Sequence, residues 1–469
     1  MRHLLHPRAI LAGRREEADA AITQCTWDPK SPGVIRLHLV PPRSGWRRRA
    51  SLLYINGQHI IPLSHGRAAL LRTFMNELTA AVTPGQEVSE EQMRPILERT
   101  ANKMHLLYPS VPAERFLGDL GHLQDMIGRI AGGGEIPELE GEALTLAQYA
   151  PYLRGPMRMD LAVMPMRLDG EWVCPLACAI CYAAKGEAMA VTDEQMLTTA
   201  QWQRILEILW QVGVPQVSFT GGDPLARPDI VELVAHAQQF ITRLNTSAVL
   251  LTPELARGLY EADLDVMQVT VYSDDAAIHD ALVGRPGALV RTLEGIRTAR
   301  AVGIIVSVNT PLVSENVAGY ARTITFLHDQ LGLRYFTASG MLPAGGAVRK
   351  IAAGGAATAD ELYENLRAAK EVVDKLGCEL DFTSPGCLTD EQLTSLGLNA
   401  PTCGACLGNM AIAPDGEVLP CQSWVHQKKA LGNILTVPWN KIWAHSLCQR
   451  LRASAALKNR CPLAEEVRS

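Results

Sequence analysis

The chain has 469 residues, 47% apolar and 20% charged, with a formal net charge of −5; this is ordinary globular material with room for two or three cores. No apolar run approaches the roughly 18 residues needed to cross a bilayer, and Arg14, Arg15, Glu16 and Glu17 interrupt the stretch where a signal peptide needs its apolar core. The expectation is a cytoplasmic protein, away from membranes, whose thiols stay reduced. The acidic balance excludes a general nucleic-acid binder, and eleven cysteines are too few for a disulfide-stapled domain of this length.

In chain order, alternation predicts strands over 34–40 and 51–55, a short apolar run over 59–63, then helices near 68–81 and 89–107. Asn56-Gly57 is a hairpin-turn signal. The basic run of Arg43, Arg47, Arg48 and Arg49 reads as a solvated turn or as a docking edge for an acidic peptide. Six strands then follow, over 159–166, 216–219, 241–247, 266–272, 304–309 and 335–340, separated by helical patterns near 192–212, 228–240, 253–262, 288–301 and 317–331. Repeated strand-helix units imply a parallel sheet covered by helices, here an open α/β barrel. After Ala347 a Gly354-Gly355 link leads to a helix near 358–376 and a cysteine-rich end. The domain boundaries drawn from these changes are 1–155, 156–346 and 347–469.

Two motifs carry the chemistry. Cys174, Cys178 and Cys181 stand as C-x3-C-x2-C in WVCPLACAICY, and Thr220 to Pro224 reads TGGDP at the end of the second barrel strand. Three thiolates are one short of closing a four-iron cluster, which leaves one iron open, and Pro175 favours a loop over a helix between the first two. In TGGDP, Gly221 and Gly222 let the main chain approach a ligand, Asp223 offers a carboxylate to an ammonium group, and Pro224 ends the turn. The alternative is a zinc site of Cys178, Cys181, Cys403 and Cys406, but it leaves Cys174 idle and TGGDP unexplained.

The two motifs together resemble the radical S-adenosylmethionine (SAM) enzymes. That resemblance implies a partial (βα)6 barrel, a [4Fe-4S] cluster whose open iron takes the amino and carboxylate groups of SAM, and reductive cleavage of SAM to a 5'-deoxyadenosyl radical. It further implies that TGGDP binds the methionyl amino group, although many members have Glu where Asp223 stands and the departure shortens the reach. Carried over by position, Asn245 and Thr246 end the third strand, Ser273 and Arg285 would meet ribose and carboxylate, and Asn309 and Leu342 would line ribose and adenine. Tyr182 matches the family's Cys-Tyr signature, and Ile180 stands where the family often has an aromatic residue. The strand-then-helix pattern before residue 132 resembles the winged-helix peptide-recognition domain of peptide-modifying members, an α+β fold.

Cys403-x2-Cys406, Cys421 at the end of PDGEVLPC, and the GNI segment from Gly432 resemble the SPASM or twitch extension, which holds auxiliary clusters. Asp415-Gly416 would turn a hairpin and deliver Cys421. The C-x2-C-x5-C-x3-C array of a full SPASM domain is missing, so one auxiliary iron-sulfur cluster is expected, on Cys403, Cys406, Cys421 and Cys461, with Cys387 or Cys448 as substitutes, and a closed zinc site as the alternative. Cys25 and Cys378 read as buried small hydrophobes.

The resemblance implies a radical SAM maturase of a ribosomally made precursor peptide, forming a crosslink or an epimer, with flavodoxin or ferredoxin as electron donor. Alternatives are a protein, tetrapyrrole or small-molecule substrate for the same chemistry, or a metal-sensing winged-helix regulator that is not an enzyme.

Overall fold

A computed structural model of the chain describes residues 23–27, 35–40, 51–55, 59–82, 88–131, 154–184, 187–401, 403–426, 430–455 and 461–462. The chain separates into two compact units, 1–154 and 155–469.

In the first unit β1 (Thr23–Trp27), β2 (Ile35–Val40), β3 (Ser51–Ile55) and β4 (His59–Leu63) form an antiparallel sheet in sequence order. Three helices follow: α1 (His65–Ala81), α2 (Glu90–Leu107) and α3 (Ala113–Ala131). The sequence pattern contains neither β1 nor α3. In α3 the glycines at 118, 121 and 128 read as breakers, yet none has a neighbour that a side chain would meet. The stripe of Phe116, Leu120, Leu123, Met126, Ile127 and Ile130 is buried at helical spacing and outweighs their propensity cost. Ser89 opens α2 through a reciprocal capping box with Gln92, and buried Glu77 of α1 pairs with Arg99 and Lys103 of α2. Asn56-Gly57 and the basic run at 43–49 lie outside the described residues.

The second unit begins with β5 (Arg158–Met164) and a small sheet of β6 (Arg167–Leu168), β7 (Glu171–Trp172) and β8 (Ala190–Val191). Strands and helices then alternate: α4 (Thr199–Val212), β9 (Gln216–Gly221), α5 (Ile230–His236), β10 (Ile241–Thr246), α6 (Pro253–Glu261), β11 (Val266–Thr270), α7 (Ala276–Val283), α8 (Ala288–Ala301), β12 (Ile305–Pro311), α9 (Tyr320–Leu331), β13 (Tyr335–Ser339), α10 (Gly346–Ala352) and α11 (Ala359–Leu376). The cysteine-rich end adds β14 (Glu379–Phe382), α12 (Asp390–Ser395), β15 (Asn409–Ile412), β16 (Val418–Leu419), α13 (Trp439–Trp443) and α14 (Ser446–Ala455).

All six expected barrel strands are present. They lie within a larger sheet of order β14-β13-β12-β11-β10-β9-β5-β15-β16, open at both ends, with only the β15–β16 pair antiparallel. Side chains alternate along each strand. Leu161, Phe219, Leu244, Val269, Val308 and Phe336 pack into the main core, so their neighbours Asp160, Ser218, Arg243, Gln268, Ser307 and Thr337 face the other way. Closed α/β barrels fill that inner face with branched apolar side chains. Here it is polar, and suits a polar ligand.

Candidate active site

The three-cysteine loop hangs between β7 and β8 and is held at five points. Ala177 and Ala179 donate to the carbonyls of Val283 (2.9 Å) and Leu282 (2.9 Å), which end α7 and have no partner within their own helix. The Trp172 indole donates to Leu176 O (3.0 Å), the Arg285 guanidinium to Pro175 O (2.7 Å), and Gly346 N to Cys181 O (2.9 Å). Cys174, Cys178 and Cys181 are free, half-buried thiols. Leu176, Ile180, Tyr272, Leu282 and Val283 form the apolar wall against which the first two pack. Burial pushes the Cys174 thiol up to about 12 and raises Cys178 and Cys181, and mutual repulsion adds to the rise at Cys178. Such thiols become thiolates only with a cationic partner.

Glycines press on this loop wherever backbone meets backbone. A Cβ on Gly222 would stand 2.5 Å from Pro165 O and 3.5 Å from Cys174 Cβ, and Gly221 (φ 130°) lies against Met164 O. Gly284 (φ 68°) faces Ala177 O, Gly345 (φ 57°) faces the carbonyls of Cys181 and Tyr182, and Gly346 faces Ala179 O. Only Gly221 and Gly222 are legible from a motif. Gly284, Gly345 and Gly346 sit in no recognisable pattern, and the tertiary contact alone reveals them.

Asp223 is buried, and its two oxygens accept four hydrogen bonds: from Leu225 N (3.1 Å) and Thr246 Oγ1 (2.7 Å), and from Ser247 N (3.0 Å) and Ser247 Oγ (2.5 Å). The carboxylate expected to reach a ligand's ammonium group joins the end of β9 to the end of β10. Pro224 opens a short 3-10 turn over Pro224–Ala226.

Asn245 and Asn309 face the polar inner side of the sheet, and Asn245 Oδ1 is shut from solvent without a hydrogen-bond partner among the described residues. Ser273 is buried and accepts from Asp275 N (3.1 Å) at the start of α7. Leu342 packs part-buried on the main core. Burial raises the Tyr182 phenol, which hydrogen-bonds Thr220 and lies within electrostatic reach of Cys181, Asp160 and Cys421. Sequence reasoning missed Ser247, which has no motif, and His279. The latter is fully buried on α7, its Nδ1 accepting from Tyr272 N (3.2 Å), and burial lowers its pKa to about 4.

At the cysteine-rich end the expected hairpin is formed by β15 and β16. Asp415 accepts from Glu417 N (3.1 Å), Gly416 has φ 91°, and Asn433 Nδ2 donates to Asp415 O (2.8 Å). Because β15 runs parallel to β5 with Ala411 opposite Asp160, the hairpin delivers Cys421 beside the barrel, in reach of Asp160, Cys403 and Cys461. Cys387 and Cys403 each lie in reach of Cys461. Cys406 (φ 58°) hydrogen-bonds Cys448 and has Cys421 nearby. Arg452, stacked on Trp443 at 3.9 Å, donates to Cys448 Sγ (3.4 Å). The bond between Cys406 and Cys448 raises the first thiol and lowers the second, and Arg452 adds to the lowering. Six cysteines therefore gather here.

Among the described residues, no three His, Cys, Asp or Glu side chains converge tightly enough for a single metal ion. The zinc tetrahedron considered from Cys178, Cys181, Cys403 and Cys406 is not formed. Cys25 is a buried core residue of the first unit, whereas Cys378 is only half-buried near Leu333 O (3.8 Å), a correction to its expected burial. No helix among the described residues is long and apolar enough to cross a membrane.

An open parallel α/β sheet carries three free thiols on a loop beside its strand ends and a second group of cysteines on its flank, an arrangement suited to the class of α/β barrel proteins that hold iron-sulfur clusters. Residues 173–327 match the family model of the radical SAM superfamily, and 403–463 match the SPASM iron-sulfur cluster-binding domain. The chain is 30% identical over 290 residues to the PqqA peptide cyclase of Gluconobacter oxydans (strain 621H), covering 61% of this chain and 78% of that one. It is 26% identical over 322 residues to the AdoMet-dependent heme synthase of Methanosarcina barkeri (strain Fusaro), covering 62% and 85%. The solved structure of Streptococcus suis SuiB bound to precursor peptide SuiA shares the fold with a TM-score of 0.56 at 15% identity, over 86% of this chain and 87% of that one. Residues 155–469 alone could not supply that share, so the likeness extends into the amino-terminal unit.

The chain belongs to the radical SAM superfamily and carries a SPASM-type domain. It is a radical SAM enzyme, whose cofactors are a [4Fe-4S] cluster, SAM and auxiliary iron-sulfur. The residues present fit these groups: raised, uncrosslinked thiols in two sets, and a glycine-lined approach beside the first.

Proposed function

We propose that this enzyme is a peptide maturase, acting on a ribosomally made precursor to form a crosslink or an epimer. The observation that carries the reading is the docking of the hairpin through β15 on β5. It sets Cys421 within reach of Asp160 on the barrel's inner face, so that a peptide in the barrel lies between two cysteine sites. The relative named as a PqqA peptide cyclase and the fold shared with a protein bound to its precursor peptide support the same reading. The amino-terminal α+β unit would then serve recognition, in the manner of a winged-helix domain, and the domain limits stay at 1–155, 156–346 and 347–469.

In this reading Cys174, Cys178 and Cys181 hold the first cluster, which with SAM supplies a radical able to take hydrogen from unreactive carbon. Arg285, whose guanidinium donates to Pro175 O on the cysteine loop, would meet the SAM carboxylate. Gly221 to Pro224 would meet its amino group, with the carboxylate of Asp223, which also accepts from the Ser247 amide, on that turn. Asn245, Ser273, Asn309, Leu342 and Tyr182 border the remainder of SAM. Cys403, Cys406, Cys421 and Cys461 hold one auxiliary cluster, with Cys387 or Cys448 in reserve. The enzyme works in the cytoplasm with flavodoxin or ferredoxin as donor.

The likeness to a heme synthase favours a tetrapyrrole as the second reading. Anaerobic reconstitution, iron and sulfide counting, and a search for 5'-deoxyadenosine with SAM and reductant test the chemistry. Incubation with a short peptide, taken from any small reading frame found beside the gene, tests the substrate. A mass change in that peptide supports the proposal, and turnover of a porphyrin but of no peptide refutes it.

A further inference from the structure

On the polar inner face, Arg243 keeps one N–H of its guanidinium without a partner among the described residues. Leu244 packs into the main core, so Arg243, adjacent to it on β10, turns into the barrel. Its charged neighbours come from both sides of the curved sheet: Arg158 and Asp160 on β5, and Asp381 on β14 at the far edge. Asp160 is already paired with Arg158 (2.9 Å). Arg243 Nε is closed to solvent and donates to nothing among the described residues. Three further buried polar atoms on the same face also lack partners there: Ser218 Oγ on β9, Asn245 Oδ1 on β10 and Ser307 Oγ on β12. Ser218 is directly opposite Arg243 in the sheet.

Buried polar atoms without partners are costly, and one on a charged group more so. Several together on one concave face mark a place where a ligand completes the hydrogen bonds. A planar fork of N–H donors with hydroxyls beside it matches a carboxylate. Arg243 stands three residues before the end of β10, about 10 Å along the strand from the turn that borders the cysteine loop.

We propose that Arg243, with Ser218 and Ser307, is a specificity site that takes a carboxylate of the substrate, which under the peptide reading above is an acidic side chain of the precursor. The carboxylate lies one side-chain length below the reacting end of the barrel and fixes which residue is presented to it.

The test uses the reconstituted enzyme with SAM bound and calorimetric titration of two probes, N-acetyl-L-glutamate N-methylamide and its glutamine counterpart. Wild type is expected to bind the glutamate probe at least about tenfold more tightly, R243M to lose the preference, and R243K to keep part of it. If R243M fails to fold, R243K and R243Q carry the comparison. Equal binding of both probes by wild type, no binding of either, or a preference that survives in R243M overturns the proposal. SAM has a carboxylate too, so SAM binding is measured on the same variants. A tenfold loss of SAM affinity in R243M, with the probe preference intact, would assign the guanidinium to SAM instead. Glutarate, which has no peptide groups, separates this inference from the peptide reading: if only that reading is wrong, glutarate still binds in an Arg243-dependent way.

Discussion

The carboxylate of Asp223 accepts both the amide (3.0 Å) and the hydroxyl (2.5 Å) of Ser247, tying the TGGDP turn to the end of the neighbouring strand. An Asn at this position would point an N–H at one of the main-chain donors. Asp223→Asn is therefore expected to cost the apo protein about 2–3 kcal/mol in urea unfolding, and Ser247→Ala about 1 kcal/mol. Were Asp223 free to serve only an ammonium ligand, D223N would unfold like wild type.

Gly222 leaves no room for a methyl group, whose carbon would lie 2.5 Å from Pro165 O. Gly222→Ala should force the turn away from the cysteine loop, at a cost of about 1–3 kcal/mol. The check is iron per chain after reconstitution, which should fall, while Gly118→Ala on the open face of α3 leaves it unchanged.

His279 is buried as the neutral ring, with a folded pKa of about 4 against an ordinary 6.5. Between those values the unfolded chain binds the proton and the folded one does not, so the full stability present above pH 6.5 declines as the pH falls towards 4. The loss approaches about 3 kcal/mol, less whatever relaxation admits water. Denaturation curves across that window should show the decline in wild type and a flatter profile in His279→Leu. An identical slope in both would remove His279 as the cause.

Removing cysteines separates the two sites. Cys178→Ala should abolish SAM cleavage and about half the iron, whereas Cys421→Ala should spare the first cluster and stop substrate turnover. Comparing Cys387→Ala, Cys448→Ala and Cys461→Ala by iron content identifies the remaining auxiliary ligand among the six gathered cysteines.

Much of this was legible before any coordinates. The six strands of the barrel stand out because β-branched, apolar segments recur between helical ones, and the C-x3-C-x2-C and TGGDP motifs are local in sequence, so spacing alone displays them. Composition told equally plainly against membrane-spanning helices.

Tertiary structure decided the rest, because it depends on contacts between distant segments. Four-residue strands such as β14 and β15 carry too little alternation to announce themselves, yet their pairing with β13 and β5 brings Cys421 beside Asp160. Gly284, Gly345 and Gly346 matter only because other backbones pass against them, and α3 forms through its buried stripe in spite of its glycines. The hydrogen-bonded carboxylate of Asp223 and the unpartnered Nε of Arg243 are likewise facts of who lies opposite whom in the folded sheet, which residue order along one strand does not encode.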